Sequence, residues 1–303
     1  MQLVRLYPRH QGGNPADMIQ KSKTGKNKAM KKKLILVTSL SSILAGFSPA
    51  RAAADYITTV ESTPNLLGYW RYSSASQANS EVNAYTGTLN GGAAVGPAGS
   101  GPALGVDPAN SALLLNGTSS FVSTNLTGQI GGAGSIIGWF KLNVLPSTSG
   151  HIFYIAGESQ VGNDFDVQIN TDDTLRFYTE AGPSTGTLPF TNADLNVWHF
   201  FAATYLASSA RNIYLDGVLA ATAVPGGHGL NTSAFNMGAS DVFGGRFFDG
   251  QLDEIAIFNR DLSPTEVGNI YGSTPVVPEP STIGLLAVGC AFSIGTRRGR
   301  KGI

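Results

Sequence analysis

From Asp55 to Ser273 the chain is written in short apolar runs, rich in β-branched and aromatic residues, that Gly, Asn, Asp, Ser and Pro interrupt every few residues. Runs of this length suit strands of an antiparallel sandwich and not βαβ units, which need longer helical periods between strands. The spacing predicts strands at Leu113 to Leu115, Phe121-Val122, Ile136 to Leu142, Ile152 to Ala156, Phe165 to Ile169, Leu175 to Tyr178, Trp198 to Tyr205 and Leu252 to Phe258. Ile213-Tyr214-Leu215 and Val218-Leu219-Ala220 are joined by Asp216-Gly217, which suits a two-residue type I′ hairpin turn, and Asn116-Gly117 gives a second hairpin signal. Phe165-Asp166-Val167-Gln168-Ile169 alternates apolar with polar, so one face is expected in the core and the other in water. One helix stands out. Ser263-Pro264-Thr265-Glu266 offers an N-cap, a first-position proline and a glutamate three residues after the cap, with Gly272 as a stop.

The two ends are written in another style. Lys31-Lys32-Lys33, the apolar stretch Leu34 to Phe47 and the small-residue run ending Ala50-Arg51-Ala52 have the three parts of a secretory signal peptide, expected over 30–52. Met30 stands just before the lysines, so residues 1–29, polar and without apolar periodicity, are expected to be an over-extended start and to carry no fold. At the other end a linker over 273–280, with three prolines and no core residues, leads into Pro278-Glu279-Pro280. A short apolar segment over 281–296 and the cluster Arg297-Arg298-Gly299-Arg300-Lys301 follow. The apolar run favours lipid, and the basic cluster is held on the cytoplasmic side by the positive-inside bias and anionic headgroups. A bilayer core asks for about 20 apolar residues, so this segment is short for a permanent span. In its order and its position, 278–301 resembles the PEP-CTERM sorting signal of Gram-negative and cyanobacterial exported proteins. That resemblance implies an exosortase-type processing enzyme as partner, transient anchoring by the C-terminus, and Pro278, Glu279, Pro280, Arg297, Arg298 and Arg300 as the signal residues.

Setting the ends aside changes what the charge means. The chain as a whole has 20 basic and 20 acidic residues, but from Asp55 to Pro280 six basic residues face 19 acidic ones, a balance of −13. So acidic a body excludes nucleic acid as a partner, since phosphates need clustered Lys and Arg, and it favours cations. The single cysteine, Cys290, falls in the apolar tail, so no disulfide holds the body. A body of over two hundred residues is long enough to depend on its core alone.

Five segments in order then carry a resemblance: Leu115-Asn116-Gly117 with Phe121-Val122; Ile136-Ile137-Gly138-Trp139-Phe140-Lys141; Trp198-His199-Phe200-Phe201-Ala202-Ala203-Thr204-Tyr205; Ile213 to Leu219; and Phe248-Asp249-Gly250-Gln251-Leu252-Asp253-Glu254 through Ser263. Together they resemble a bacterial laminin G-like, concanavalin A-like jelly-roll domain, expected over 62–272. The resemblance implies an all-β fold of two antiparallel sheets packed face to face, with a concave face that many relatives use for glycans or protein partners. Relatives also often bind calcium. That makes calcium the expected cofactor and Asp253 the expected ligand, with Asp172-Asp173 as a weaker choice, whereas hydrogen bonding of loop amides is the alternative role for Asp253. The segment Ala78 to Asn83 lacks the aspartate frequent in the family's early loop.

Catalysis finds little support in the residues. Two carboxylates on one strand can hydrolyse glycans, and Asp164-Phe165-Asp166 is the nearest approach, but the Glu-x-Asp-x-x-Glu pattern of laminarinase-like relatives is absent and Glu158 lies on another stretch. His10 lies in the leader, His151 and His199 adjoin strands, His228 sits in a Gly-rich loop, and no Gly-x-Ser-x-Gly turn presents a nucleophile. His199 is expected to pack. Tyr154, Tyr178, Phe243, Phe247 and Phe248 are the aromatics expected in loops, where they could stack on sugar rings, core packing being the more frequent role for such residues. The favoured reading is thus an exported, non-catalytic adhesion module at the cell surface or in the matrix, binding a polysaccharide or a surface protein. A structural matrix protein without a ligand site and a glycan hydrolase with an unusual site are the alternatives.

Overall fold

The computed structural model describes residues 55–73, 78–104, 107–179, 185–224, 228–230, 232–240 and 242–274. The stretches expected to be an over-extended start (1–29) and a signal peptide (30–52), and the sorting signal with its apolar segment, lie outside the described residues. Helix α1 is Tyr56–Ser62, and β1 to β5 are Leu66–Trp70, Gly87–Asn90, Ala94–Val95, Leu113–Asn116 and Phe121–Thr127. Next come β6 (Ala133–Leu142), the short α2 (Pro146–Ser149), β7 (Phe153–Glu158), β8 (Phe165–Ile169), β9 (Thr174–Thr179) and β10 (Thr185–Pro189). The last elements are β11 (Trp198–Leu206), β12 (Arg211–Leu215), β13 (Val218–Ala223), β14 (Ala234–Met237), β15 (Asp249–Phe258) and α3 (Pro264–Gly272).

The strands form two antiparallel sheets. One has the order β13-β12-β11-β6-β15-β4-β3, with β1 as a further partner of β15, and the other has the order β10-β9-β8-β7-β14-β5-β2. Between them lies the main core, in which Phe140, Phe153, Phe165, Phe177, Phe201, Trp70 and Phe235 interlock; Trp70 stacks on Phe235 at 5.4 Å. Each such side chain contributes about 1.5–3 kcal/mol by leaving water.

The eight-stranded sheet is buried on its other face as well. There α1 and α3 cover Ile137, Trp139, Phe200 and Ala202, with Tyr56 edge-on to Trp139 and Tyr271 stacked on it at 6.2 Å. Double burial explains why Ile136 to Phe140 reads as a continuous apolar run. The capping box of α3 forms as expected, Ser263 Oγ accepting from Glu266 N and Glu266 accepting from Ser263 N. The sequence pattern missed α1, whose N-cap Asp55 accepts from Thr58 N at 2.8 Å, because seven residues are too few to show a helical period.

The Asp216-Gly217 hairpin closes as expected, with φ of 49° and 77° and Leu215 opposite Val218. Gly217 is required twice over, since a Cβ there would also lie 2.4 Å from the Tyr271 ring. Asn116-Gly117 is not a hairpin: β4 pairs with β15 and β3 in one sheet, while β5 pairs with β14 and β2 in the other. The Asn116 side chain explains the outcome, because its Oδ1 accepts from the backbone N–H of Thr118, Ser119 and Ser120 and turns the chain across the sandwich. The second face of Phe165 to Ile169 is not wet either, since Asp166 and Gln168 are as buried as their apolar neighbours.

Candidate functional site

Pairing register defines the outer face of the seven-stranded sheet. Thr88, Ser123, Asn236, Gly157, Asp166 and Tyr178 stand opposite one another in turn across β2, β5, β14, β7, β8 and β9. Paired residues share a face, so these six form one polar rung. A second rung beside it carries Tyr154, Gln168 and Arg176. At the centre of the first rung a glycine is obligatory, because Gly157 has φ 153° and a Cβ there would lie 2.4 Å from Asp166 Cα. The rung is therefore flat between Asn236 and Asp166.

Hydrogen bonds tie the two rungs together. The Ser159 hydroxyl lies 3.2 Å from Asp166 Oδ2 and 3.0 Å from the Tyr154 hydroxyl, and Gln168 Nε2 donates to Asp166 Oδ1 at 2.6 Å. Gln168 Oε1 in turn accepts from Arg246 Nη1 at 3.1 Å, and the Arg246 guanidinium lies over the Phe243 ring at 4.2 Å. The segment Phe243 to Arg246 thus covers the polar face, which is why Asp166 and Gln168 are buried without being in the core. Burial, assisted by Asp164, pushes the Asp166 carboxyl up to about 7, against the opposing pull of Gln168, Ser159 and Arg246. Asn236 Oδ1 is buried with no hydrogen-bond partner in the protein, an acceptor still to be satisfied.

A second polar centre lies where β15 changes neighbours. Asp249 to Leu252 pair with β4 and Ile255 to Phe258 pair with β1, and the intervening Asp253-Glu254 form a bulge with Glu254 at φ 53°. Asp253 accepts from Asn110 Nδ2 at 2.7 Å and from Glu254 N at 2.8 Å. Glu254 accepts from the Tyr69 hydroxyl and from Arg71 Nε, and Arg71 Nη2 reaches Asp107 at 2.8 Å. Burial raises both Asp253 and Glu254, and Arg71 opposes the rise. Asp107 and Glu254 thus share a single guanidinium, while Asp253 beside them joins no ion pair among the described residues. Asn110 turns its Nδ2 toward Asp253, and its Oδ1 is buried with no hydrogen-bond partner in the protein. Among the described residues, no group of three or more His, Cys, Asp or Glu gathers around one point.

The other residues singled out in the sequence divide by location, with Asp164, Asp172 and Asp173 all serving turns. Asp164 accepts from Gln160 N at 3.2 Å, Asp172 accepts from Thr174 and pairs with Arg176, and Asp173 Oδ1 accepts from Ser147 N at 2.8 Å. Tyr154 lies on β7 fully buried, and Phe248, in the loop just before β15, puts its ring into the inter-sheet core against Phe153, so neither is an exposed aromatic; Tyr178 is on β9, and Phe243 and Phe247 are half-buried. His199 packs between Phe140 and Phe190, held by Asp216 Oδ2 at 2.9 Å from Nδ1. His151 bonds the Phe247 carbonyl, and His228 lies against Phe165 at 5.2 Å. Glu158, fully buried, stands opposite both Phe165 and Phe235, and burial pushes it up to about 8. Sequence reading did not single out Gln168, Asn236 or Arg246. The polar positions of Phe165 to Ile169 carried the signal for the first, while nothing local marks the other two.

Comparison with known proteins agrees with this architecture. Residues 115–268 match the concanavalin A-like lectin/glucanases superfamily in its laminin G form, and residues 276–301 match the PEP-CTERM protein-sorting motif. Curated protein sequences yield no match. Among solved structures, domain 4 of AbnA, a GH43 extracellular arabinanase from Geobacillus stearothermophilus in complex with arabinotriose, is similar with TM-score 0.54 and 17% identity over 68% of this chain and 98% of that one. The binding domain of Paraclostridial Mosquitocidal Protein 1 (TM-score 0.55, 14% identity) and the receptor binding domain of botulinum neurotoxin D (0.54, 11%) each align over 69% of this chain. The aligned part spans about half, 52%, of each of those two domains. At such identities the likeness shows the fold alone. The family match covers residues 115–268 and the sheets carry its topology, so the chain belongs to the concanavalin A-like lectin/glucanases superfamily as a laminin G-like domain with a PEP-CTERM sorting motif.

Proposed function

We propose that the exported body is a non-catalytic adhesion module whose ligand is a polysaccharide, bound on the outer face of the seven-stranded sheet. The observation that carries this reading is the half-buried pair Phe243 and Arg246, guanidinium over ring at 4.2 Å, which the buried row Tyr154, Ser159, Asp166 and Gln168 holds in place on that face. Of these groups the half-buried Arg246 and Phe243 are the ones left at the surface, a guanidinium for sugar hydroxyls and a ring for stacking. The arabinotriose bound by the structurally similar arabinanase domain is consistent with such a ligand. The sorting motif supports export, processing by an exosortase-type enzyme and delivery to the cell surface or matrix.

A polysaccharide array probed with the full chain tests the reading. Phe243→Ala and Arg246→Ala each remove a group on the covering segment without touching the core, and each is expected to weaken binding about tenfold, the equivalent of one lost hydrogen bond or stacking contact. Undiminished binding by the double variant would remove this face as the site. Depolymerisation of a bound polymer would replace adhesion with hydrolysis.

We propose further that calcium binds at Asp253 and Asn110 Oδ1. Support comes from Asp253, a fully buried carboxylate that lies beside Glu254 and joins no ion pair among the described residues, and from the buried Asn110 Oδ1, which has no hydrogen-bond partner in the protein. An excess buried carboxylate must be protonated or neutralised by a cation, and the two choices respond differently to a chelator.

A further inference from the structure

At the opposite edge of the sandwich a buried cation has no ion-pair partner among the described residues. Arg211, the first residue of β12, is fully buried and stands opposite Tyr205 on β11 and Ala223 on β13. Its side chain crosses from one sheet to the other. There Nη1 donates to the carbonyl and to the Oγ1 of Thr179, the last residue of β9, at 3.2 and 3.1 Å. Arg211 joins none of the six ion pairs among the described residues. Its near neighbours among the described residues are neutral: Thr179, the phenols of Tyr178 and Tyr205, and beyond Tyr205 the ring of His228, which burial keeps uncharged.

The two nitrogens without a hydrogen-bond partner in the protein are Nε and Nη2. These lie on the same edge of the guanidinium, and their N–H bonds run parallel, the geometry that receives both oxygens of a carboxylate. A buried guanidinium left unpaired is costly, and a bound anion removes that cost. The body's balance of −13 opposes multiply charged anions and so favours a monoanion. Arg211 also follows directly on the exposed turn formed by residues 207–209, which places the site close to the surface.

We propose that Arg211 anchors a carboxylate-binding site in the seam between the two sheets, taking one monoanionic carboxylate, free or as a uronic acid of an acidic glycan, through Nε and Nη2. The site is separate from the polar rungs and stands whether or not that face binds polysaccharide. It is tested on the full chain with acetate, glucuronate, an oligouronate and neutral glucose at constant ionic strength, following the arginine Nε–H resonances and the melting temperature. Acetate and glucuronate are expected to move the Arg211 resonance and raise the melting temperature, while glucose and chloride do neither. Arg211→Met, which removes an unpaired buried charge, is expected to fold and to lose the response; Arg211→Lys keeps the charge but not the fork, and is expected to lose affinity at least about tenfold. Tighter binding of the oligouronate than of glucuronate identifies a polymer as the source, and its failure to bind identifies a small free carboxylate. An Arg211 resonance that no carboxylate moves, or that chloride moves equally, overturns the proposal.

Discussion

Asp216 shows how one side chain serves several structures at once. Its backbone takes the left-handed conformation of the turn, Oδ1 accepts from Phe200 N at 2.9 Å, and Oδ2 holds His199 Nδ1 at 2.9 Å. The turn therefore locks β12 against β11 as well as joining it to β13. Asp216→Ala is expected to destabilise the domain by about 2 kcal/mol, two hydrogen bonds at about 1 kcal/mol each, read as a lower denaturation midpoint in urea. A midpoint within error of the parent would mean that the turn is held by Gly217 and the strand ladder alone. The turn type was legible from Asp216-Gly217 alone. Its bond to His199, seventeen residues earlier in the chain, was not, because nothing local in the sequence brings the two together.

At the scale of the element, β15 is the strand that decides most. By taking β4 as neighbour for its first half and β1 for its second, it leaves a gap in the ladder at Asp253-Glu254, and Asn110, Arg71 and Tyr69 enter that gap. A sequence pattern that marks Leu252 to Phe258 as a strand cannot show the change of partner, so the acid pair looks like part of a continuous ladder. If calcium occupies the gap, melting of the full chain is expected to rise with calcium and fall back with excess chelator, by mass action on the native state, and Asp253→Asn is expected to abolish the difference. Identical melting curves with calcium and with chelator would leave protonation as the means by which the site is neutralised. Asn116-Gly117 teaches the same lesson in reverse: a dipeptide that favours hairpins is used for a crossover because both flanking strands find better partners in different sheets.

For the whole molecule, the buried acids set the response to pH. Glu158, raised to about 8, and Asp166, raised to about 7, hold protons that the unfolded chain releases near pH 4. Between these limits the native state binds more protons than the unfolded state, so stability falls as pH rises from about 5 to 8. Glu266 acts in the opposite sense at the acid end, since Arg260 holds it down to about 2, and its contribution is lost below about pH 4. Chemical denaturation in chelator is expected to give a maximum near pH 5 and a loss of a few kcal/mol by pH 8, with Glu158→Gln flattening the decline. Stability that stays level or rises across that interval would show that these acids ionise without cost.

Local periodicity, capping chemistry and a fixed order of short motifs already carry the class of fold, the order of most long strands, the helix capped by Ser263 and the sorting motif. Which strands pair, the roof of Phe243 to Arg246 over the polar face of β8, and the reach of Arg211 from one sheet to the other emerge once the sheets have packed. Those features are made by residues far apart in the chain, and their burial and pairing come from the register of two packed sheets, which no local pattern encodes.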